Sequence, residues 1–412
     1  MIKAKKHVII VGGGASGIVA AISAKRMGAQ VTILERNPRI GKKILATGNG
    51  RCNFTNINTN INCYSGKNPQ FISNALSLFG VKETIEFFEK LGIAHKVEEQ
   101  GKVFPMSDQA SSILDVLLYE LNRMEINIIC NAFVKRITRH HETFKIETEN
   151  QSSYNGDAVI IATGGKAMPS TGSDGNGYRL AENFGHTITH IFPGLVQLKL
   201  EGGFFKQIEG VKFVGSAEIL HQNQSIAKDR GDILFGNYGV SGPPILQISR
   251  KAGELLSQNK EPVLKISIID SLSKEDLAKL LFKRFQNSKG KTLDFCLVGL
   301  INKRLIPVIL KEAGFQDLKI PAAKLSSPEQ ERIAHILTDW RLKIRGTKGW
   351  TSAQITAGGI NTEEINPLTM ESALIPGLFF AGEIIDIDGM CGGYNLQWAW
   401  TSGFIAGQNA AF

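Results

Sequence analysis

The sequence predicts an α/β fold in two parts, one domain interrupted by an inserted second domain. Three observations predict it. The β-branched stretch Val8-Ile9-Ile10-Val11 runs into Gly12, Gly13 and Gly14, and a second apolar stretch, Ala158-Val159-Ile160-Ile161-Ala162, ends in Thr163-Gly164-Gly165. Near residue 193 this texture gives way to short alternating strands and helices, and it returns at Gly377-Leu378-Phe379-Phe380-Ala381-Gly382-Glu383. Short apolar runs without alternation are what strands buried on both faces require.

Taken in order, residues 8–11 are the first strand and 16–27 a helix with Ile18, Ala21 and Ile22 on one face. Between them Gly12, Gly14 and Gly17 satisfy G-x-G-x-x-G. The first glycine allows the turn, the second lets backbone approach a pyrophosphate, and the third lets helix and strand pack closely. The anion would sit against the helix start, at Gly13, Ala15 and Ser16, where amides lack intrahelical partners. Residues 31–34 form the second strand, and Glu35 at its end can accept hydrogen bonds from an adenosine ribose. This is a Rossmann-like dinucleotide site.

Residues 36–56 are rich in Gly, Lys and Asn and read as too polar for a core element. Helices are expected at 69–79, 82–91 and 112–124, the last opening on Ser112-x-x-Asp115 as a capping box, with strands at 126–129, 133–137 and 144–148. Short strands to about 269 and helices at 274–285, 297–313 and 328–342 make the insertion a mixed β-barrel-like and helical domain. In Asn237-Tyr238-Gly239-Val240-Ser241-Gly242-Pro243-Pro244, a helix starts with proline in its first turn. The expected division is 1–192, an inserted substrate or cap domain at 193–352, and 353–412 returning to the first domain. Near the end, Asp386, Asp388 and Gly392-Gly393-Tyr394-Asn395-Leu396 precede a Trp-bearing helix at about 397–408, a second helix start suited to an anion.

Composition narrows the partners. Two domains fit 412 residues. The formal charge of +9 is spread, with no run of five like charges and no compact stretch interleaving basic and aromatic residues, so it signals a solvated surface and a phosphate-bearing cofactor rather than nucleic acid. Five cysteines without a C-x-x-C pair argue against a disulfide framework or zinc site. His95, His186, His190 and His221 show no metal-ligand spacing, so no metal is expected. No apolar stretch reaches the roughly 18 residues of a membrane span, and the expected location is the cytoplasm. Nothing in the pattern fixes an oligomeric state.

The three glycine-bearing segments resemble the FAD-binding elements of two-dinucleotide-binding flavoproteins. More closely, Lys42-Lys43-Ile44-Leu45-Ala46-Thr47-Gly48-Asn49-Gly50-Arg51-Cys52-Asn53-Phe54-Thr55-Asn56, with Gly389-Met390-Cys391-Gly392-Gly393-Tyr394-Asn395-Leu396-Gln397-Trp398-Ala399-Trp400, resembles the bacterial aminoacetone-oxidase-like FAD family. That family includes dehydro bile acid reductases and is distantly similar to fumarate reductase flavoproteins and tRNA-modifying flavoproteins. The resemblance spans the chain and implies a Rossmann-like FAD-binding domain and noncovalent FAD.

Residue by residue, it implies Glu35 on the ribose, Arg36 by the adenine or phosphates, and backbone at Val134 by the adenine edge. Lys43, Ala162, Thr163, Gly164, Gly165, Gly382, Glu383 and Asp388 fall among its cofactor-binding positions, Glu383 near the ribityl and pyrophosphate. Gly50, Arg51, Cys52 and Asn53 would line the flavin, and Gly393 with the amides of Asn395 and Leu396 would face its pyrimidine carbonyl. Arg51 and Tyr394 are the catalytic candidates, Arg51 standing equally as a structural ion-pair or phosphate arginine and Tyr394 as a packing residue. Gly236-Asn237 stand where many members carry Thr-His, so no histidine proton donor carries over. A Cys52–Cys391 redox pair is disfavoured because disulfide reductases use a local C-x4-C.

The expected function is hydride transfer between FAD and a small organic substrate, by a reductase with NAD(P)H as transient reductant or by an amine or amino ketone oxidase. No second dinucleotide motif is present, because Gly172-Ser173-Asp174-Gly175-Asn176-Gly177 has the wrong spacing and no preceding strand. The alternatives are an RNA-binding or tRNA-modifying flavoprotein and a non-catalytic flavin sensor.

Overall fold

The structure is a computed structural model that describes residues 5–412. The chain forms two compact units. One runs up to Pro193 and resumes over Gln354–Phe412; the other is Gly194–Ala353.

The first unit is built on a five-stranded parallel sheet in the order Leu378–Phe380, Ala158–Ile161, His7–Val11, Gln30–Leu34, Asn127–Ile129. Val8, Ile9, Ile10, Val159, Ile160 and Ile161 have no exposed surface, which explains their unbroken apolar sequence. Helix Ala15–Arg26 packs on helix Tyr394–Ala410 at a distance only glycine permits. A Cβ on Gly403 would strike the Ser16 backbone, and one on Gly407 the Ala20 carbonyl. The two ends of the chain are thereby fastened at one edge of the dinucleotide turn.

The second unit is a closed antiparallel barrel in the order Leu198–Leu200, Gly239–Ser241, Gln224–Gly236, Lys212–His221, Val263–Ser267, Trp340–Thr347. Helix Pro243–Ser257 packs on it, starting at Gly242 with φ +112° and proline in the first turn. Phe204, Phe205, Phe235 and Trp340 form its aromatic core.

Four expectations are corrected. The segment 36–56 is partly core: Cys52, Phe54 and Thr55 are fully buried and Asn56 nearly so, because their polar groups find partners. Ser112 is no cap, since its helix begins at Ala110 after Gln109. The region 297–313 is not one helix: within it only Ile306–Glu312 is helical, and a four-residue helix, Leu293–Cys296, ends before it, because Gly299 takes φ +81° and Pro307 can only sit in a first turn. The helix expected at 328–342 stops at Thr338, and Trp340, Leu342 and Ile344 alternate inward as a barrel strand. Among the described residues no helix is long and apolar enough to cross a membrane.

Candidate cofactor site

At the first turn each glycine has a separate reason. Gly12 has φ +108°, and a Cβ there would lie 2.5 Å from the Ala162 carbonyl oxygen. A Cβ on Gly17 would strike the Gly12 carbonyl, and one on Gly13 the Ile40 side chain. Gly14 differs: its backbone is ordinary extended chain, φ −84° and ψ −169°, and a Cβ would meet no protein atom within 4 Å. Neither conformation nor packing calls for glycine there. Space kept open above a helix start without a side-chain cap does, if a pyrophosphate is to occupy it.

Glu35 is 7% exposed and ties the turn together. One carboxylate oxygen accepts from Gly13 N at 2.8 Å, the other from Asn37 N and Nδ2, each at 2.7 Å. A carboxylate has about four acceptor sites, which leaves one for a ribose hydroxyl. Arg36 pairs with Asp174 at 2.5 Å and stacks on Phe133, its guanidinium carbon 4.6 Å from the ring centre. The Val134 carbonyl accepts from Asn176 Nδ2 at 3.0 Å.

The second strand end supplies Ala162, whose N–H bonds the Val11 carbonyl, then Thr163, Gly164 at φ +71° and Gly165, whose Cβ would strike Thr356 Oγ1. Gly382 takes φ +83° against Ser16. Next to it Glu383 accepts from Lys43 Nζ at 2.8 Å and from Thr356 N at 2.6 Å. Asp388 is buried, its backbone paired to Ser65.

The C-terminal helix presents a second uncapped start. Gly393 precedes it at φ +99°, and a Cβ there would lie 2.5 Å from the Thr55 carbonyl oxygen and 2.9 Å from Asn53 Oδ1. Asn53 is 8% exposed, and its Oδ1 is buried without a hydrogen-bond partner. The amides of Tyr394, Asn395 and Leu396 belong to the first turn, which has no intrahelical acceptors. The Asn395 side chain is committed to Gly389 and Met390. A buried network that sequence reading missed holds the arrangement. Gln397, fully buried, accepts from Thr55 Oγ1 at 2.5 Å and donates to Thr84 Oγ1 at 2.8 Å and Thr401 Oγ1 at 2.9 Å, while Trp400 Nε1 donates to the Phe54 carbonyl at 2.9 Å.

The two catalytic candidates are both engaged in structure. Arg51 bonds Glu98 and Asp108, with Lys96 joining the same carboxylates, and lies 4.1 Å above the Phe104 ring centre. Of its two readings this favours the ion-pair arginine. Tyr394 is 8% exposed, and burial followed by the neighbouring Cys63 pushes its hydroxyl up to about 12. Cys52 is fully buried at φ +59°, and burial pushes its thiol up to about 12. None of the five cysteines forms a disulfide. The glycine-rich run at 172–177 follows a short turn, Pro169–Thr171, and leads into the seven-residue helix Asn176–Glu182, with no strand before it.

An open extended Gly14, an orphaned Asn53 oxygen and two uncapped helix starts fit a flavin dinucleotide. A family model described as the HI0933-like protein Rossmann domain matches residues 6–409. The chain belongs to this family. It is 41% identical over 404 residues to the 3-dehydro-bile acid delta(4,6)-reductase of Clostridium scindens, with 98% of each chain covered. It is 31% identical over 404 residues to the ribosomal RNA dihydrouridine synthase of Escherichia coli, with 97% of each covered. The 3-ketosteroid-delta4-(5alpha)-dehydrogenase from Rhodococcus jostii RHA1, solved with 4-androstene-3,17-dione, shares the fold at TM-score 0.50 and 14% identity, covering 100% of this chain and 98% of that one. This HI0933-like protein is an FAD-dependent oxidoreductase.

The HI0933-like chain also contains a Ser–His–acid arrangement. His186 Nε2 lies 2.8 Å from Ser372 Oγ, and Nδ1 lies 3.1 Å from Glu364 Oε2. It is no nucleophile site, because the His186 side chain is wholly buried and Ser372 Oγ already accepts from Leu374 N and Ile375 N. Burial lowers the His186 pKa, against the opposing pull of Glu364, and burial lowers that of His7 as well. Both rings take up a proton less readily in the fold than in the unfolded chain, which does so below about pH 6.5. Their stabilising contribution is therefore complete above that pH and is lost as pH falls through the lower native values. Urea unfolding at pH 7.5 and 5.5 should show lower stability at 5.5, with a smaller difference in His186→Gln; an unchanged difference in the variant would contradict this.

Proposed function

We propose that the enzyme is a reductase that saturates a carbon–carbon double bond conjugated to a carbonyl in a small-molecule substrate, with NADH or NADPH as transient reductant. The carrying observation is the 41% identity over 98% of both chains to a protein named as a 3-dehydro-bile acid delta(4,6)-reductase. The relatives named for dihydrouridine point to the same reaction class, since converting uridine to dihydrouridine also saturates a ring double bond conjugated to a carbonyl. Two different substrates and one type of bond support carrying over the bond type.

FAD supplies the hydride chemistry when bound. The turn from Gly12 to Gly17 and Glu35 would hold its adenosine and pyrophosphate, Lys43 and Glu383 its middle, and Asn53 with the Tyr394, Asn395 and Leu396 amides its ring. Those amides and the helix dipole favour the negative charge that two-electron reduction places at the pyrimidine end. Arg51, balanced by Glu98 and Asp108, is in this reading a positioning residue that fixes the Gly48–Asn53 loop. The inserted unit carries substrate specificity.

Anaerobic stopped-flow mixing tests this. NADH or NADPH should bleach the flavin, and a conjugated steroid-like dienone should reoxidise it faster than oxygen does, with one carbon–carbon double bond saturated per flavin reoxidised. Bleaching by an amino ketone with peroxide release on aeration would replace the reading by an oxidase. Reoxidation by ribosomal RNA and not by any enone would transfer the same chemistry to a nucleic acid substrate.

A further inference from the structure

We propose that a basic cleft in the inserted unit binds the phosphate group of a phosphorylated ligand. The cleft has a volume of about 450 Å³, and its lining includes Lys283, Arg284, Asn287, Ser288, Lys291 and Phe295. It lies where helix Lys274–Gln286 ends and the chain turns toward Leu293–Cys296, wholly within one unit.

Two independent observations point to a ligand. Ser288 is 2% exposed, and its Oγ is buried without a hydrogen-bond partner, an arrangement that destabilises the fold unless something supplies a partner. Around it, among the described residues, Lys283, Arg284 and Lys291 have no ion-pair partner. The nearby acid is spoken for: Asp294 pairs with Lys319 at 2.7 Å and accepts from Thr292 Oγ1 and Phe295 N. Arg284 spends two donors on the Cys296 and Val298 carbonyls, which fixes its guanidinium and leaves further N–H groups available. The helix dipole gives a reason for Lys283 and Arg284 in the last turn. It gives none for Lys291, beyond the helix end, or for the buried hydroxyl. Cations with one hydroxyl and one amide suit a tetrahedral oxyanion, which accepts from all of them.

Isothermal titration of the FAD-loaded full chain with inorganic phosphate, and separately with a short single-stranded RNA, tests the site. Wild type should bind at least one of them saturably, and Ser288→Ala and Lys283→Gln/Lys291→Gln should each weaken binding about tenfold or more, equivalent to roughly 1.4 kcal/mol. FAD content and far-UV circular dichroism should not change. Binding of phosphate alone identifies a small phosphorylated ligand. RNA binding whose logarithmic salt slope falls by about 0.7 per lost contact in the lysine variant identifies a backbone phosphate. Absence of saturable binding overturns the proposal. So does weakening by the lysine variant with Ser288→Ala unaffected, since that is surface charge without a site.

Discussion

Gly14→Val should abolish FAD retention while leaving the apoprotein folded. The two halves of this expectation come from different observations. Gly14 sits at φ −84° and ψ −169°, which valine adopts readily, and nothing in the protein lies within 4 Å of a Cβ there, so the substitution meets no clash. The same open space is where a pyrophosphate would approach the first-turn amides, and an isopropyl group fills it. Purified Gly14→Val should be colourless, and its melting temperature should not respond to added FAD. Wild type at a hundredfold excess over its dissociation constant gains about 2.7 kcal/mol. Glu35→Ala should be milder and act on the fold as well, because it strips a charged acceptor from Gly13 and Asn37, at about 1.5 to 3 kcal/mol. Yellow Gly14→Val with unaltered affinity would remove the dinucleotide from this turn.

What was legible in the sequence was local. G-x-G-x-x-G, the apolar runs at Val8 and Val159 and the terminal Gly382 each carry their own signal, since a positive φ or a doubly buried strand constrains the residue that sits there. The site's other half is built from contacts between distant segments. Asn53 meets Gly393, Thr55 and Thr84 meet Gln397, and Trp400 meets Phe54; no periodicity announces such pairs. Arg51 was legible as a charge, but its partners Glu98 and Asp108 were not, so its two readings could be separated only in three dimensions. Which side chains of 279–295 are buried is likewise decided by contacts. There Leu281 and Phe285 are core while Phe282 and Phe295 are 48% and 55% exposed among Lys283 and Lys291. Sequence alone could not tell which phenylalanines face inward.

Gly393→Ala should damage both the fold and the cofactor site, and the cause can be separated by a second substitution. An L-residue at φ +99° is strained, at about 1 to 2 kcal/mol. Its Cβ would also lie 2.5 Å from the Thr55 carbonyl oxygen and 2.9 Å from Asn53 Oδ1, adding an overpacking cost of about 1 to 3 kcal/mol. Helix Tyr394–Ala410 cannot retreat, because Gln397 and Trp400 hold it to Thr55 and Phe54, and Gly403 and Gly407 seat it on the Ser16 and Ala20 backbone. The expected result is loss of roughly 2 to 5 kcal/mol in denaturant unfolding of the apoprotein, with FAD binding weakened and the spectrum of any residual bound flavin shifted. Asn53→Ala alone should leave stability near wild type or raise it, since it removes an orphaned buried oxygen, yet weaken FAD binding if that oxygen serves the ring. Combining the two relieves the side-chain clash but not the backbone one, so the double variant should recover only part of the lost stability and none of the affinity. Full recovery would mean that Asn53 alone explains the glycine. Wild-type FAD affinity in Gly393→Ala would place the flavin ring away from this helix start.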